Sequence, residues 1–199
     1  KAGGLLGSAS YANVSDCSAD VTVIGTRISG GFIGDIFLGS YKNCTAKGSV
    51  SGGWATGGFA GSVSGYDASV EIERCASYGD VTAKDWNTGG FVGYLEKGKI
   101  SNSVSYSNVT NTVTGWEPKT GGFSGTNFGG EIQNCSAAGT VTGSHSTIAP
   151  GGFIGYDDGG TTAGCAFDQE KNPVLNGVGD SGTSGSNQIA AVDTKSLDS

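Results

Sequence analysis

The residue types that could do chemistry are few in this chain, and most of them keep a regular spacing. Cys17, Cys44, Cys75, Cys135 and Cys165 advance in steps of 27 to 32 residues when Ser103 is counted in the gap between Cys75 and Cys135. Zinc sites draw their ligands from CxxC pairs or Cys/His clusters, and neither pattern is present. Five cysteines in a secreted chain would invite disulfides with one thiol left over. Their equivalent positions argue instead for an inward ladder in which cysteine acts as a small apolar filler. Ser103 in the same slot shows that no bond is obligatory there. All five thiols are therefore expected to be reduced and buried.

The remaining polar candidates are isolated. His145 is the one histidine, and a lone loop histidine reads as solvated. Asp157-Asp158 and Asp168-x-Glu170 pair carboxylates, but Asp-Asp-Gly-Gly reads as a turn. A carbohydrate-cleaving β-helix would need clustered acids with Arg or Lys, and Arg27 and Arg74 are the two arginines. The Gly-rich pentapeptides lead into no helix and lack the P-loop lysine, so they are not phosphate cradles. The expectation is a non-enzymatic chain with no catalytic residues, no metal site and no cofactor.

The aromatic residues form the constellation of interest. Trp54 and Trp86 each stand three residues before a Gly-Gly pair, and Trp116 stands five before another. In stacked turns about 4.8 Å apart these rings would form a column along one edge. Flat aromatic faces at regular spacing suit sugar rings or a protein partner, and Asp85, Asn87 and Thr120 could supply hydrogen bonds to hydroxyls. The alternative is that the tryptophans shield a corner of the core. Tyr66, Tyr94, Phe128 and Tyr156 make a second column in a different loop, read as edge packing.

The element that must position these residues is a repeat. Gly89-Gly90-Phe91-Val92-Gly93 recurs from Gly3, Gly30, Gly57, Gly121 and Gly151, at intervals of 27, 27, 32, 32 and 30 residues. A period near 30 indicates a solenoid, propeller or array. Behind each pentapeptide comes a second phrase, seen as Ile72-Glu73-Arg74-Cys75-Ala76-Ser77-Tyr78-Gly79-Asp80-Val81-Thr82. Ile72, Cys75, Ser77 and Val81 should face in, while Glu73, Arg74, Tyr78 and Asp80 face out. The change of phase between Ile72 and Cys75 requires a corner or bulge. The Gly-Gly pair should supply positive φ or close backbone approach. Phe32, Phe59, Phe91, Phe123 and Phe153 should form one interior column.

Loop length varies at two places per repeat, as stacked coils permit. These features predict an all-β, right-handed parallel β-solenoid of about six coils over residues 1–168. Residues 169–199 read as a C-terminal cap or a frayed tail.

The two phrases together resemble the GLUG repeat over about residues 1–168. The closing Cys165-Ala166-Phe167-Asp168 is similar to the family's terminal Cys-Tyr-Trp-Asp, with Ala166 and Phe167 in place of its two aromatics. The resemblance implies a bacterial cell-surface module, as in adhesins and the flanking regions of metallopeptidases that cut immunoglobulin A. It identifies no ligand.

Composition agrees with an extracellular setting. A net charge of −7 and a pI near 4.5 argue against nucleic acid or anionic membrane as partner. No apolar run approaches the 18 residues of a membrane span. A solenoid opening directly on Gly3-Gly4 without a cap reads as part of a longer polypeptide. The expected function is adhesion or ligand binding, to a host or matrix protein or a glycan. The alternative is a passive stalk that presents another domain, such as a peptidase.

Overall fold

The computed structural model describes residues 1–65, 70–113, 117–143, 148–183 and 185–197. The chain is a parallel β-solenoid. Strands pair in parallel with their counterparts one repeat away, residue against residue, as in Ala55↔Asn87↔Lys119 and Ile72↔Ile100↔Ile132. Five turns carry the full set of strands, and the sixth repeat contributes Ile154–Asp157 and Thr161–Asp168. No helix among the described residues is long and apolar enough to cross a membrane.

Each repeat lays one strand on either side of its Gly-Gly-Phe corner. The preceding strands (Ala2–Gly3, Ile28–Gly30, Ala55–Gly57, Asn87–Gly89, Lys119–Gly121) form one sheet. The following strands (Leu6–Ala9, Ile33–Ile36, Ala60–Ser64, Val92–Lys97, Ser124–Asn127, Ile154–Asp157) form the next. The glycines are required by close approach and not by a positive φ. A Cβ on Gly57 would lie 2.1 Å from the Ala60 carbonyl oxygen, and one on Gly90 2.2 Å from that of Gly122.

The phenylalanine that follows fills the interior. Phe32, Phe59, Phe91, Phe123 and Phe153 are fully buried. Successive rings stack with centroids 4.8 to 5.0 Å apart and planes within 12°. That spacing is the inter-strand spacing of a sheet, so the rings take their geometry from the backbone register.

The change of phase before each cysteine has a specific cause. Asp16, Asn43, Arg74, Asn102 and Asn134 adopt φ between 49° and 55°, and Gly164 takes 63° in the last repeat. A single left-handed residue turns the chain through a corner, and Asn, Asp and Gly tolerate that conformation best. Side chains brace the column: Asn43 Nδ2 donates to Asp16 Oδ1 at 2.9 Å, and Arg74 Nε donates to Asn43 Oδ1 at 2.8 Å. Beyond the corner Cys75, Ser77 and Val81 are buried, while Tyr78 and Asp80 are exposed.

The cysteine slot behaves as one position. Each thiol donates to the carbonyl two residues back, for example Cys44 to Lys42 at 3.2 Å and Cys135 to Gln133 at 3.2 Å. Ser103 makes the same bond to Ser101 at 2.8 Å. All five thiols are free. Burial pushes the Cys75 thiol up to about 12 and raises Cys44, Cys135 and Cys165 as well. Cys17 departs from the expectation of full burial. It lies in the first turn, which has a stacked neighbour on one side only among the described residues, and it is half-buried.

The residues after 168 add a further rung. Val178–Ser181 pairs in parallel with Ile154–Asp157, and Ser186–Val192 pairs with Thr161–Asp168. The short helix Thr194–Leu197 is tied back by Thr194 Oγ1, which donates to the buried Asp168 carboxylate at 2.9 Å.

Candidate functional site

The Gly-Gly-Phe corner joins the strand before the glycines to the strand after them, and side chains from both sheets line one cleft. Asn87 and Lys119 are neighbours on the first of these sheets, and Tyr94, Thr126 and Tyr156 are neighbours on the second. With Trp54, Trp86, Phe128 and Asp158 they line a cleft of about 270 Å³. Two aromatic columns that lie in different loops of the sequence thus meet in one place.

The rings are not equivalent. Trp54 is half-buried, packed against Tyr94 with centroids 5.3 Å apart at 44°. That is the corner-shielding role. Trp86 and Phe128 are different, at 40% and 49% exposed. The exposed part of each ring gains nothing for folding. Trp116, Tyr66 and His145 lie outside the described residues.

The polar groups of the cleft divide into a floor and a rim. On the floor Asn87 is buried and fully engaged: its Nδ2 donates to the Trp54 carbonyl at 3.2 Å, and its Oδ1 accepts the Thr126 hydroxyl at 2.6 Å. At the rim the Lys119 ammonium stands 4.1 Å above the Tyr156 ring and 6.0 Å from that of Trp86. Asp158 Oδ1 accepts the Thr183 N–H at 2.8 Å. That bond, with a second from the Thr183 side chain and the charge of Lys119, holds the Asp158 carboxyl below the usual carboxylate range. Burial first, then Asp158 and neighbouring carboxylates, raise the Tyr156 phenol.

Of the hydrogen-bonding neighbours expected from the sequence, Asn87 lines the cleft and Asp85 and Thr120 do not. Asp85 is half-buried, and its Oδ1 accepts the N–H of Trp86 at 2.9 Å, which fixes the turn presenting the indole. Thr120 is buried, with a hydroxyl that finds no partner among the described residues, and it does not line the cleft. Strand alternation explains the difference, since Lys119 faces the cleft and its neighbour must face the other way. Lys119 and Thr126 were not singled out from the sequence, and Asp158 reads there as part of an Asp-Asp-Gly-Gly turn. The signal was available only in register, because Lys119 stacks on Asn87, and Tyr156 on Thr126 and Tyr94.

Fold and cleft together define a tandem-repeat parallel β-solenoid with an aromatic-lined cleft. The GLUG motif matches residues 2–24 and 120–142, so the chain carries the repeat its sequence resembles. Among solved structures it is similar to a "putative immunoglobulin A1 protease" from Bacteroides ovatus, with a TM-score of 0.57 and 23% identity. The match covers 76% of this chain and 49% of that one, so the chain spans about half that protein's length. At this identity the likeness is one of fold. No curated protein matches the chain.

Proposed function

We propose that this solenoid is a non-enzymatic module of a bacterial surface or secreted protein, and that it mediates adhesion by binding a ligand in the concave aromatic cleft. The observation that carries the reading is the exposure of Trp86 and Phe128 at 40% and 49% inside a concave, partly charged site. Tryptophan in such a position is the residue most enriched where binding energy concentrates. The cleft's carboxylate, Asp158, is tied to the Thr183 N–H and held ionised, which suits a hydrogen-bond acceptor better than a proton donor. The GLUG motif and the solenoid likeness support a surface or secreted setting.

A second reading is a passive spacer presenting another domain, such as a peptidase. Trp54 favours it, since that ring packs against Tyr94 and serves the corner. The two readings separate on Trp86→Ala. Binding to host cells or matrix should fall at least tenfold, while the melting temperature moves by no more than a few degrees, as for an exposed side chain. Unchanged binding by the variant would leave the spacer in possession.

A further inference from the structure

One interior column of the solenoid changes character towards its C-terminal end. Ala9, Ile36, Val63 and Leu95 succeed one another in register, and the next two turns place Asn127 and Asp157 in the same slot. Both polar side chains are fully buried. Polar groups in such a place must find their partners within the protein.

Asn127 does so completely. Its Nδ2 donates to the Gly130 carbonyl at 3.2 Å, and its Oδ1 accepts the Gly130 N–H at 2.9 Å. Asp157 stands in the same relation to Gly160, three residues on. It accepts the backbone N–H groups of Gly160 and Gly185, and its Oδ2 accepts Asn187 Nδ2 at 3.0 Å. Its Oδ1 finds no partner among the described residues. An amide donates from one arm of its fork and accepts at the other; a neutral carboxylic acid does the same, and an ionised carboxylate only accepts. Of the two forms of Asp157, the neutral acid alone has the donor that Asn127 uses one turn earlier.

We propose that Asp157 is a proton-operated latch: as a neutral acid it fastens the last rung, Ser186–Val192, to the solenoid, and its ionisation loosens that rung.

The tie to that rung is specific. Asn187 donates to Asp157 while its Oδ1 accepts the Thr162 hydroxyl at 3.3 Å, and Thr162 Oγ1 accepts the Gln188 N–H at 2.9 Å. The backbone closes over the carboxyl, since a Cβ on Gly185 would lie 2.2 Å from Asp157 Oδ2. Solvent therefore reaches the ionised form when the rung lifts.

No cation offsets the burial. The strands around the carboxyl, Ser124–Asn127, Ile154–Asp157, Thr161–Asp168, Val178–Ser181 and Ser186–Val192, carry no Lys or Arg. Their other titratable groups are Tyr156, Cys165, Asp168 and Asp180, with Asp158 next in the chain. Burial raises the Asp157 carboxyl against the Asn187 and backbone bonds that lower it, and the Asp158 charge adds to the rise. A raised folded value means that the latch is complete below the ordinary carboxylate range and is lost as pH rises through the raised value. Asp168, held low, works in the opposite sense and below that range. Protection of the rung should therefore peak between the two.

The test follows hydrogen exchange of the intact chain over Ser186–Val192, corrected for the intrinsic rate, from about pH 4.5 to about pH 8.5, above the ordinary carboxylate range. Protection should fall with rising pH, by about tenfold for each unit that separates the closed and opened carboxyl. Asp157→Asn keeps the donor at every pH and should hold protection level across the window. The carboxyl-carbon resonance of Asp157 in the unaltered chain reads its ionisation directly, so a folding defect in the variant leaves the test intact. A carboxyl that titrates within or below the ordinary range overturns the proposal. So does level protection in the unaltered chain, or the same fall in Asp157→Asn.

Discussion

Phe91→Ala removes the central ring of the phenylalanine column. Phe91 is fully buried, with Phe59 and Phe123 stacked on its two faces, each at 4.8 Å. Truncating a buried phenylalanine costs about 3–5 kcal/mol through lost transfer energy and the cavity left behind. Stacked aromatic pairs add about 0.5–1.5 kcal/mol each beyond burial, and two such pairs are lost together. The turns cannot close on the hole. They are held apart at strand spacing by the Phe59 N–H to the Phe91 carbonyl at 2.8 Å and the Phe91 N–H to the Phe123 carbonyl at 2.9 Å. The loss therefore belongs at the upper end, about 5 kcal/mol, or about 10–20 °C in melting temperature for a chain of this size. Urea unfolding followed by circular dichroism gives the first number and calorimetry the second. Phe128→Ala, at an exposed ring, is the control and should cost less than about 1 kcal/mol. A loss below about 1 kcal/mol for Phe91→Ala would refute the stacking argument.

Two further outcomes follow from the buried polar groups. Thiol labelling of the native chain should reach Cys17 first, while Cys75, pushed up to about 12, and Cys135 react only after denaturation; mass spectrometry of timed samples checks the order. Burial alone would raise the Asp168 carboxyl, but the Lys171 N–H, the Thr194 hydroxyl and the Lys171 charge together hold it below the usual range. A depressed folded value means that its stabilisation is complete above the ordinary carboxylate range and is lost as pH falls through the lowered value. Hydrogen-exchange protection over Val178–Ser181, Ser186–Val192 and Thr194–Leu197, corrected for the intrinsic exchange rate at each pH, should therefore fall in acid, and Asp168→Asn should show the lowered protection already at neutral pH.

The repeat was legible in the sequence because stacked turns must solve the same packing problem at every rung. Gly57 and Gly90 cannot carry a side chain beneath the neighbouring carbonyl, and Phe91 must match Phe59 and Phe123, so both positions recur visibly. The phase change at Arg74 was legible as a break in alternation; its left-handed backbone was signalled by Asp16, Asn43, Asn102, Asn134 and Gly164 at the matching positions and is masked only by the arginine itself. The cleft was half legible. Trp54 and Trp86 occupy matching slots, but Trp54 packs against Tyr94 and is half-buried, while Trp86 is the more exposed. Tyr156 comes 70 residues after Trp86, and nothing local shows that the corner turns their two loops towards each other. Thr120 and Lys119 show the finer limit, since one step along a strand exchanges the buried face for the open one.

The in-register pairing also sets how the module would answer a pull. Its inter-turn hydrogen bonds run along the stack, so tension between the two ends opens them one rung at a time instead of shearing many at once. Each opened turn frees 27 to 32 residues, about 100 Å of extended chain. The turns behind it keep their neighbours and stay folded, because each depends only on the rungs it touches. Under load the solenoid is a shock absorber that lengthens in near-equal steps and can rewind from the part still coiled.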